Sequence, residues 1–142
     1  MRVKKRDLRT VLAVSDLFSF KTVTDEMGNE FVLFKNNPLT HIVDISDKTA
    51  FEALENHRHI FDKIKPKNVA QCISVGEVLG ETLLRVLKLS YPKKKFIVYI
   101  SVSVGDSMII RFHQKWENEM PYYEKEDVDC PKNERLLRFE SE

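Results

Sequence analysis

Between Phe96 and Trp116 the chain runs twice through an alternation of apolar and polar residues, with a glycine between the two runs. Phe96, Val98, Ile100, Val102 and Val104 fall on one face of a first strand. Met108, Ile110, Phe112 and Trp116 fall on one face of a second, with Gln114 the exception. A period of two is the pattern of a half-buried strand, so this stretch is predicted to be a β-hairpin. Residues opposed across an antiparallel ladder share a face, so the numbers of paired positions must have an even sum. A two-residue Gly105-Asp106 turn would pair Val102 with Ile109 and mix the faces. An odd loop, Gly105-Asp106-Ser107, pairs Val104 with Met108, Val102 with Ile110 and Ile100 with Phe112. The other face then carries Ile97, Tyr99, Ser101 and Ser103 beside Ile109, Arg111, His113 and Lys115. On it Tyr99 is expected opposite His113 and Ser101 opposite Arg111, a polar and mildly basic surface left open.

Upstream, Leu8, Val11, Leu12, Leu17 and Phe18 suit a short amphipathic helix over 5–17, with a strand as the other reading. Residues 18–24 look like a strand, and 25–30 supply turn chemistry, with Gly28-Asn29 able to take positive φ. Residues 31–34 return as a strand, and Asn36-Asn37-Pro38 breaks it. A further short strand is expected over 41–45. Ser46 or Asp47 suits a helix N-cap, and Phe51, Leu54, Arg58, Phe61 and Ile64 mark one stripe of a helix over 48–64. Asn68 and Gln71 have the spacing of a capping box and open a longer helix whose apolar positions are Val69, Cys72, Ile73, Leu79, Leu83, Val86 and Leu87. Gly76 and Gly80 share that face. Each costs roughly 1 kcal/mol relative to alanine inside a helix, which points to close approach to the sheet; a partner-binding groove is the alternative. The tail 124–142 either frays or docks through Leu136, Leu137 and Phe139. The pattern as a whole predicts an α+β fold, a mostly antiparallel sheet built from two β-hairpins with two or three helices packed on one face.

The composition agrees with one domain: 142 residues, 42% hydrophobic and 32% charged, are enough to bury a core without covalent staples. A net charge of +1 provides no global field toward nucleic acid or membrane. The charge is uneven, however. Arg2, Lys4, Lys5, Arg6 and Arg9 crowd the start, and Glu117, Glu119, Glu124, Glu126, Asp127 and Asp129 crowd residues 117–129. Each run is either a solvated rim or an interaction surface. No run has signal-peptide or membrane-spanning length, so a cytoplasmic protein is expected. Cys72 fits a small core position, Cys130 precedes a proline, and their spacing suggests neither metal nor redox chemistry. No cofactor is expected.

His57 and His59, two apart on the predicted helix, would point in different directions and could not share a metal. His41 stands alone. His113 is the best acid–base candidate, with Arg111 and Lys115 beside it, Tyr99 across the ladder, and Glu117 and Glu119 beyond. No nucleophile or oxyanion donor accompanies it, so no residue is assigned a catalytic role. The segment Trp116-Glu117-Asn118-Glu119-Met120-Pro121-Tyr122-Tyr123-Glu124 is the best interaction candidate, because aromatics beside carboxylates are common in binding hot spots. The candidate interface therefore comprises Tyr99, Arg111, His113, Trp116, Glu117, Glu119, Tyr122, Tyr123 and Glu124. Of these, Trp116 is expected mostly in the core, with Tyr122, Tyr123 and the carboxylates exposed.

The helix 68–90, the step Tyr91-Pro92-Lys93-Lys94-Lys95, the strand 96–104, and Arg111-Phe112-His113-Gln114 followed by Trp116, Glu117 and Glu119 are similar in layout to small bacterial immunity proteins encoded beside polymorphic or contact-dependent toxins. The resemblance covers the C-terminal half. It implies a cytoplasmic, non-enzymatic protein that binds one cognate toxin and blocks its active site or its access to substrate. Many such toxins are basic nucleases, which the acidic run 117–129 would fit; the near-neutral total charge departs from that pattern. Two other readings stand beside it. One is a small hydrolytic enzyme using His113 with Glu117 or Glu119. The other is nucleic-acid binding through residues 2–9, although neither nucleic acid nor membrane is the expected partner.

Overall fold

In the computed structural model, residues 15–60, 69–103, 107–123 and 134–142 are described. The fold is α+β, as the pattern predicts, with its strands divided between two antiparallel sheets. The smaller is the hairpin β1 (Phe20–Thr24) and β2 (Glu30–Phe34). Its turn is set by Asp25, whose Oδ1 accepts the N–H groups of Met27 at 3.0 Å and Asn29 at 2.8 Å, while Gly28 takes a φ of 86°. Glycine adopts that conformation without steric penalty. The larger sheet has the order β3-β5-β4-β6, from β3 (His57–His59), β4 (Phe96–Ser103), β5 (Ser107–Gln114) and β6 (Glu134–Glu140). Helix α1 (Lys48–Glu55) sits at the junction of the two sheets, and α2 (Val69–Ser90) packs across one face of the larger one.

The central hairpin obeys the parity rule but not the expected register. Val102 pairs with Met108, Ile100 with Ile110 and Val98 with Phe112, and Ser103–Ser107 is the closing pair. Three residues, 104–106, separate the strands; they lie outside the described residues. Parity decides which residues share a face, but sliding the ladder by two residues preserves every face, so hydrophobic pattern alone could not separate the two registers. Tyr99 consequently opposes Arg111, and Ser101 opposes Ile109. Beyond β4, residues of the tail dock as β6, with Leu137 and Phe139 packed against the core.

Helix α2 lays Cys72, Leu83 and Leu87 onto Phe96, Val98, Ile100, Met108, Ile110 and Phe112, all of them fully buried. Its two glycines are there for the sheet. A Cβ added at Gly80 would run into the Phe139 ring, and one at Gly76 would lie 3.0 Å from Ile100 Cγ2.

Two expected elements come out differently. Only Ile42 of 41–45 pairs, in an isolated parallel bridge to Asp25. Of the helix expected over 5–17, residues 5–14 lie outside the described residues; Ser15 is helical and is followed by a 3-10 turn, Asp16–Phe18. Helix α1 stops at Glu55, because Asn56 leaves the helical conformation and 57–59 pair with β5 instead. The stripe that α1 buries is Thr49, Glu52, Ala53 and Asn56, spaced as a helix face but largely polar, while Leu54 is exposed. Phe61, Ile64, Asn68 and Cys130 lie outside the described residues.

That polar stripe joins the sheets. Glu52 Oε2 accepts the N–H of Val32 at 3.0 Å, and Asn56 accepts the N–H of Phe34 at 3.1 Å while donating to Val32 O at 2.8 Å. On the β5 side, Glu52 Oε1 accepts the Gln114 backbone N–H, and the Asn56 carbonyl accepts that of Phe112 at 3.3 Å. Gln114 Nε2 completes the lattice, donating to Glu52 Oε2 at 2.7 Å and to Glu30 O at 2.9 Å. Two side chains one helical turn apart thus occupy the place of a strand between β2 and β5. Burial pushes the Glu52 carboxyl up to about 7, against the hydrogen bonds from Gln114 and Val32 that favour its charge.

Candidate functional site

The outer face of the large sheet, away from α2, carries cross-strand rows. His57, Arg111, Tyr99 and Arg138 form one row, and His113, Ile97 and Glu140 the next. Sequence alone suggests an open polar surface here, but Ile97, Tyr99 and His113 are each no more than 2% exposed. The chain leaving β5 turns back and covers them. Asn118 makes this possible by adopting the left-handed conformation at φ 62°, which asparagine tolerates better than most residues. The chain reverses there, with the N–H of Glu119 donating to Trp116 O at 3.3 Å.

Each part of the returning segment is anchored. Trp116 packs on Phe31, ring centroids 5.1 Å apart, with Lys48 Nζ 5.6 Å from its own centroid. Its buried indole N–H favours the charged form of Glu52 but falls short of hydrogen-bond geometry to any acceptor. Glu119 closes the first turn of α1, accepting the N–H of Thr49 at 2.7 Å and of Lys48 at 3.3 Å, with Lys48 Nζ at 3.1 Å. A carboxylate at a helix N-terminus satisfies orphan donors and complements the dipole. Partial burial would raise its pKa, yet these hydrogen bonds outweigh it and hold the group below the ordinary carboxylate value.

His113 fixes the far end. Its Nδ1 donates to Gln114 O at 2.6 Å, which leaves Nε2 as an acceptor. Nε2 then takes the Tyr99 hydroxyl at 3.1 Å and the Tyr122 N–H at 3.3 Å, and the Tyr99 oxygen accepts the Tyr123 N–H at 3.4 Å. The rings of Tyr99, Tyr122 and Tyr123 meet edge to face at 5.1 and 4.8 Å. Arg111 donates to Ala53 O at 3.0 Å and lies 5.0 Å from the centroid of Tyr122. Burial lowers the pKa of His113, helped by nearby Arg138 and opposed by the Gln114 carbonyl.

The sequence-predicted interface residues thus divide. Tyr99, Arg111, His113, Trp116, Glu119, Tyr122 and Tyr123 come together as one packed unit, but most of them face inward. Tyr99 and His113 are buried rather than exposed, because the segment itself covers them. Glu119 is tied to α1, and Tyr122 and Tyr123 are half-buried. Glu117 is exposed as expected, joined by Asn118 and by Met120, which is 69% exposed. Glu124 lies outside the described residues, as do the basic residues 2–9. Between this segment and the start of α1 runs an open groove of about 580 Å³, lined by Ser46, Asp47, Ala50, Met120, Pro121 and Tyr122 among others. Its carboxylates are committed, Glu119 as described and Asp47 as the α1 N-cap on Ala50 N at 2.8 Å. Both ring nitrogens of His113 are likewise engaged, leaving no lone pair or proton for a substrate. The sequence reading missed Glu52 and Asn56; the one visible signal was Gln114, a polar residue in an otherwise apolar row.

Among the described residues, no helix is long and apolar enough to cross a membrane, and no group of three or more histidine, cysteine, aspartate or glutamate side chains is placed to hold a metal ion. No family model matches the chain, and neither a curated protein nor a solved structure matches it.

Proposed function

We propose that this protein is a non-enzymatic protein-binding module acting in the cytoplasm, with residues 116–122 as its recognition element. One observation carries the reading: an irregular segment is fixed at Trp116, Glu119 and Tyr122, yet it turns Glu117, Asn118 and Met120 to solvent. A loop held in one conformation before binding loses little entropy on binding, which favours affinity. An exposed methionine beside an acidic side chain and a half-buried tyrosine suits a partner with an apolar patch and basic surroundings. The likeness to immunity proteins supports a toxin domain as that partner.

The experiment is affinity capture from the native cells, followed by titration of the purified partner against Met120→Asp and Glu117→Lys. Both residues are exposed, so the fold should be unaffected by circular dichroism while affinity falls about tenfold or more, as for central interface positions. Unchanged affinity in both variants would move the interface off this segment.

A further inference from the structure

His57 and His59 were expected on a helix, pointing apart. They lie instead on β3, where positions i and i+2 project from the same face. Both are exposed, on the side of the sheet opposite α2, while Arg58 between them turns inward to within 5.0 Å of the Phe34 ring centroid. The two imidazole centroids are 5.8 Å apart at 78°. Zinc–nitrogen bonds of about 2.0–2.1 Å at a tetrahedral angle put two imidazole centroids roughly 5 Å apart, so a small side-chain rotation would bring both rings onto one ion.

A second observation points the same way. His57 Nδ1 donates to the Leu54 carbonyl at 2.7 Å, which fixes the proton on Nδ1 and leaves Nε2 as a bare lone pair. A backbone carbonyl holding the non-ligating ring nitrogen is the support that metal-binding histidines ordinarily have. The His59 ring makes no hydrogen bond among the described residues. Arg111, paired with His57 across the ladder, has its guanidinium committed to Ala53 O and the Tyr122 ring. Imidazole ligands suit late first-row cations better than Mg²⁺ or Ca²⁺, which prefer oxygen donors.

We infer that His57 and His59 form a two-imidazole chelate for a late first-row divalent cation such as Zn²⁺, with the remaining coordination positions open to water or to a ligand from another molecule. The test titrates Zn²⁺ into the purified chain by calorimetry, with imidazole resonances followed by NMR. One equivalent should bind and shift the signals of His57 and His59 but not those of His41. His59→Gln, which leaves the His57–Leu54 bond intact, should weaken binding about tenfold or more, since losing a ligand costs at least as much as losing a ligand's support. The double variant His57→Gln/His59→Gln should abolish the site, and His41→Gln should leave it unchanged. Absence of saturable binding, or undiminished binding in the double variant, would overturn the inference.

Discussion

Glu52 and Gln114, 62 residues apart in the chain, are bonded to each other twice: one carboxylate oxygen takes the Gln114 backbone N–H, and the other takes its side-chain amide. A third donor, Val32 N–H, ties the same carboxylate to the small sheet. The buried acid is therefore a joint between two sheets.

Replacing Glu52 by glutamine leaves one oxygen to accept but sets an amide N–H₂ against the Gln114 N–H. Leaving a buried donor unsatisfied costs about 1–3 kcal/mol. The pH dependence is more diagnostic. The folded carboxyl titrates near 7 against an ordinary 4.5, so between those values the native protein holds a proton that the unfolded chain has released. Stability from this group is complete below the lower value and falls as pH rises through the window, by about 3 kcal/mol. Glu52→Gln removes that slope. Urea denaturation across the window should show the gap between native protein and variant narrowing as pH increases; parallel profiles would refute the assignment.

His113 works in the opposite direction. Its folded pKa lies below the ordinary 6.5, so the unfolded chain binds the proton more readily, and the stability it contributes is lost as pH falls below that value. Protonation puts a hydrogen on Nε2, where the Tyr99 hydroxyl and the Tyr122 N–H now donate. Amide exchange protection at Tyr122 and Tyr123 should drop on acidification before that of β4. Tyr99→Phe should loosen the same two amides at neutral pH, at a cost of about 1 kcal/mol. Protection that holds at low pH in both proteins would mean the histidine does not pin the segment.

Gly80→Ala drives a Cβ into the Phe139 ring. Overpacking of this kind costs about 1–3 kcal/mol. Phe139→Leu vacates the ring's position, so the double variant should lose less than the two single variants added together. Strict additivity in thermal unfolding would show that α2 and β6 do not meet as described.

How far the fold could be read in the sequence depends on whether apolar contacts or polar ones decide each element. Alternation placed β4, β5 and the buried faces, because every apolar residue there has an apolar neighbour to meet. The glycines of α2 were legible for the same reason, as a cost that demanded close packing. Register was not, since a shift of two residues changes no face. The end of α1 was also hidden: with Phe51 and Leu54 taken as the inner stripe, nothing in the pattern indicated that Glu52 and Asn56 would be buried and satisfied by β2 residues 20 and 22 positions earlier in sequence. The same error concealed the common face of His57 and His59. At the candidate site, composition singled out the segment proposed here for recognition, but its folding back over Tyr99 and His113 depends on the Asn118 turn and the pull of the α1 N-terminus on Glu119.

The placement of Glu52 and Asn56 has a consequence for behaviour in concentrated solution. A strand edge with free N–H and C=O groups is a template on which another chain can add a strand. On the outer edge of β2 those groups are occupied by the carboxylate, the amide and Gln114. A substitution that empties the joint therefore does more than weaken one molecule: it uncovers an adhesive edge, and the resulting defect grows with protein concentration as self-association.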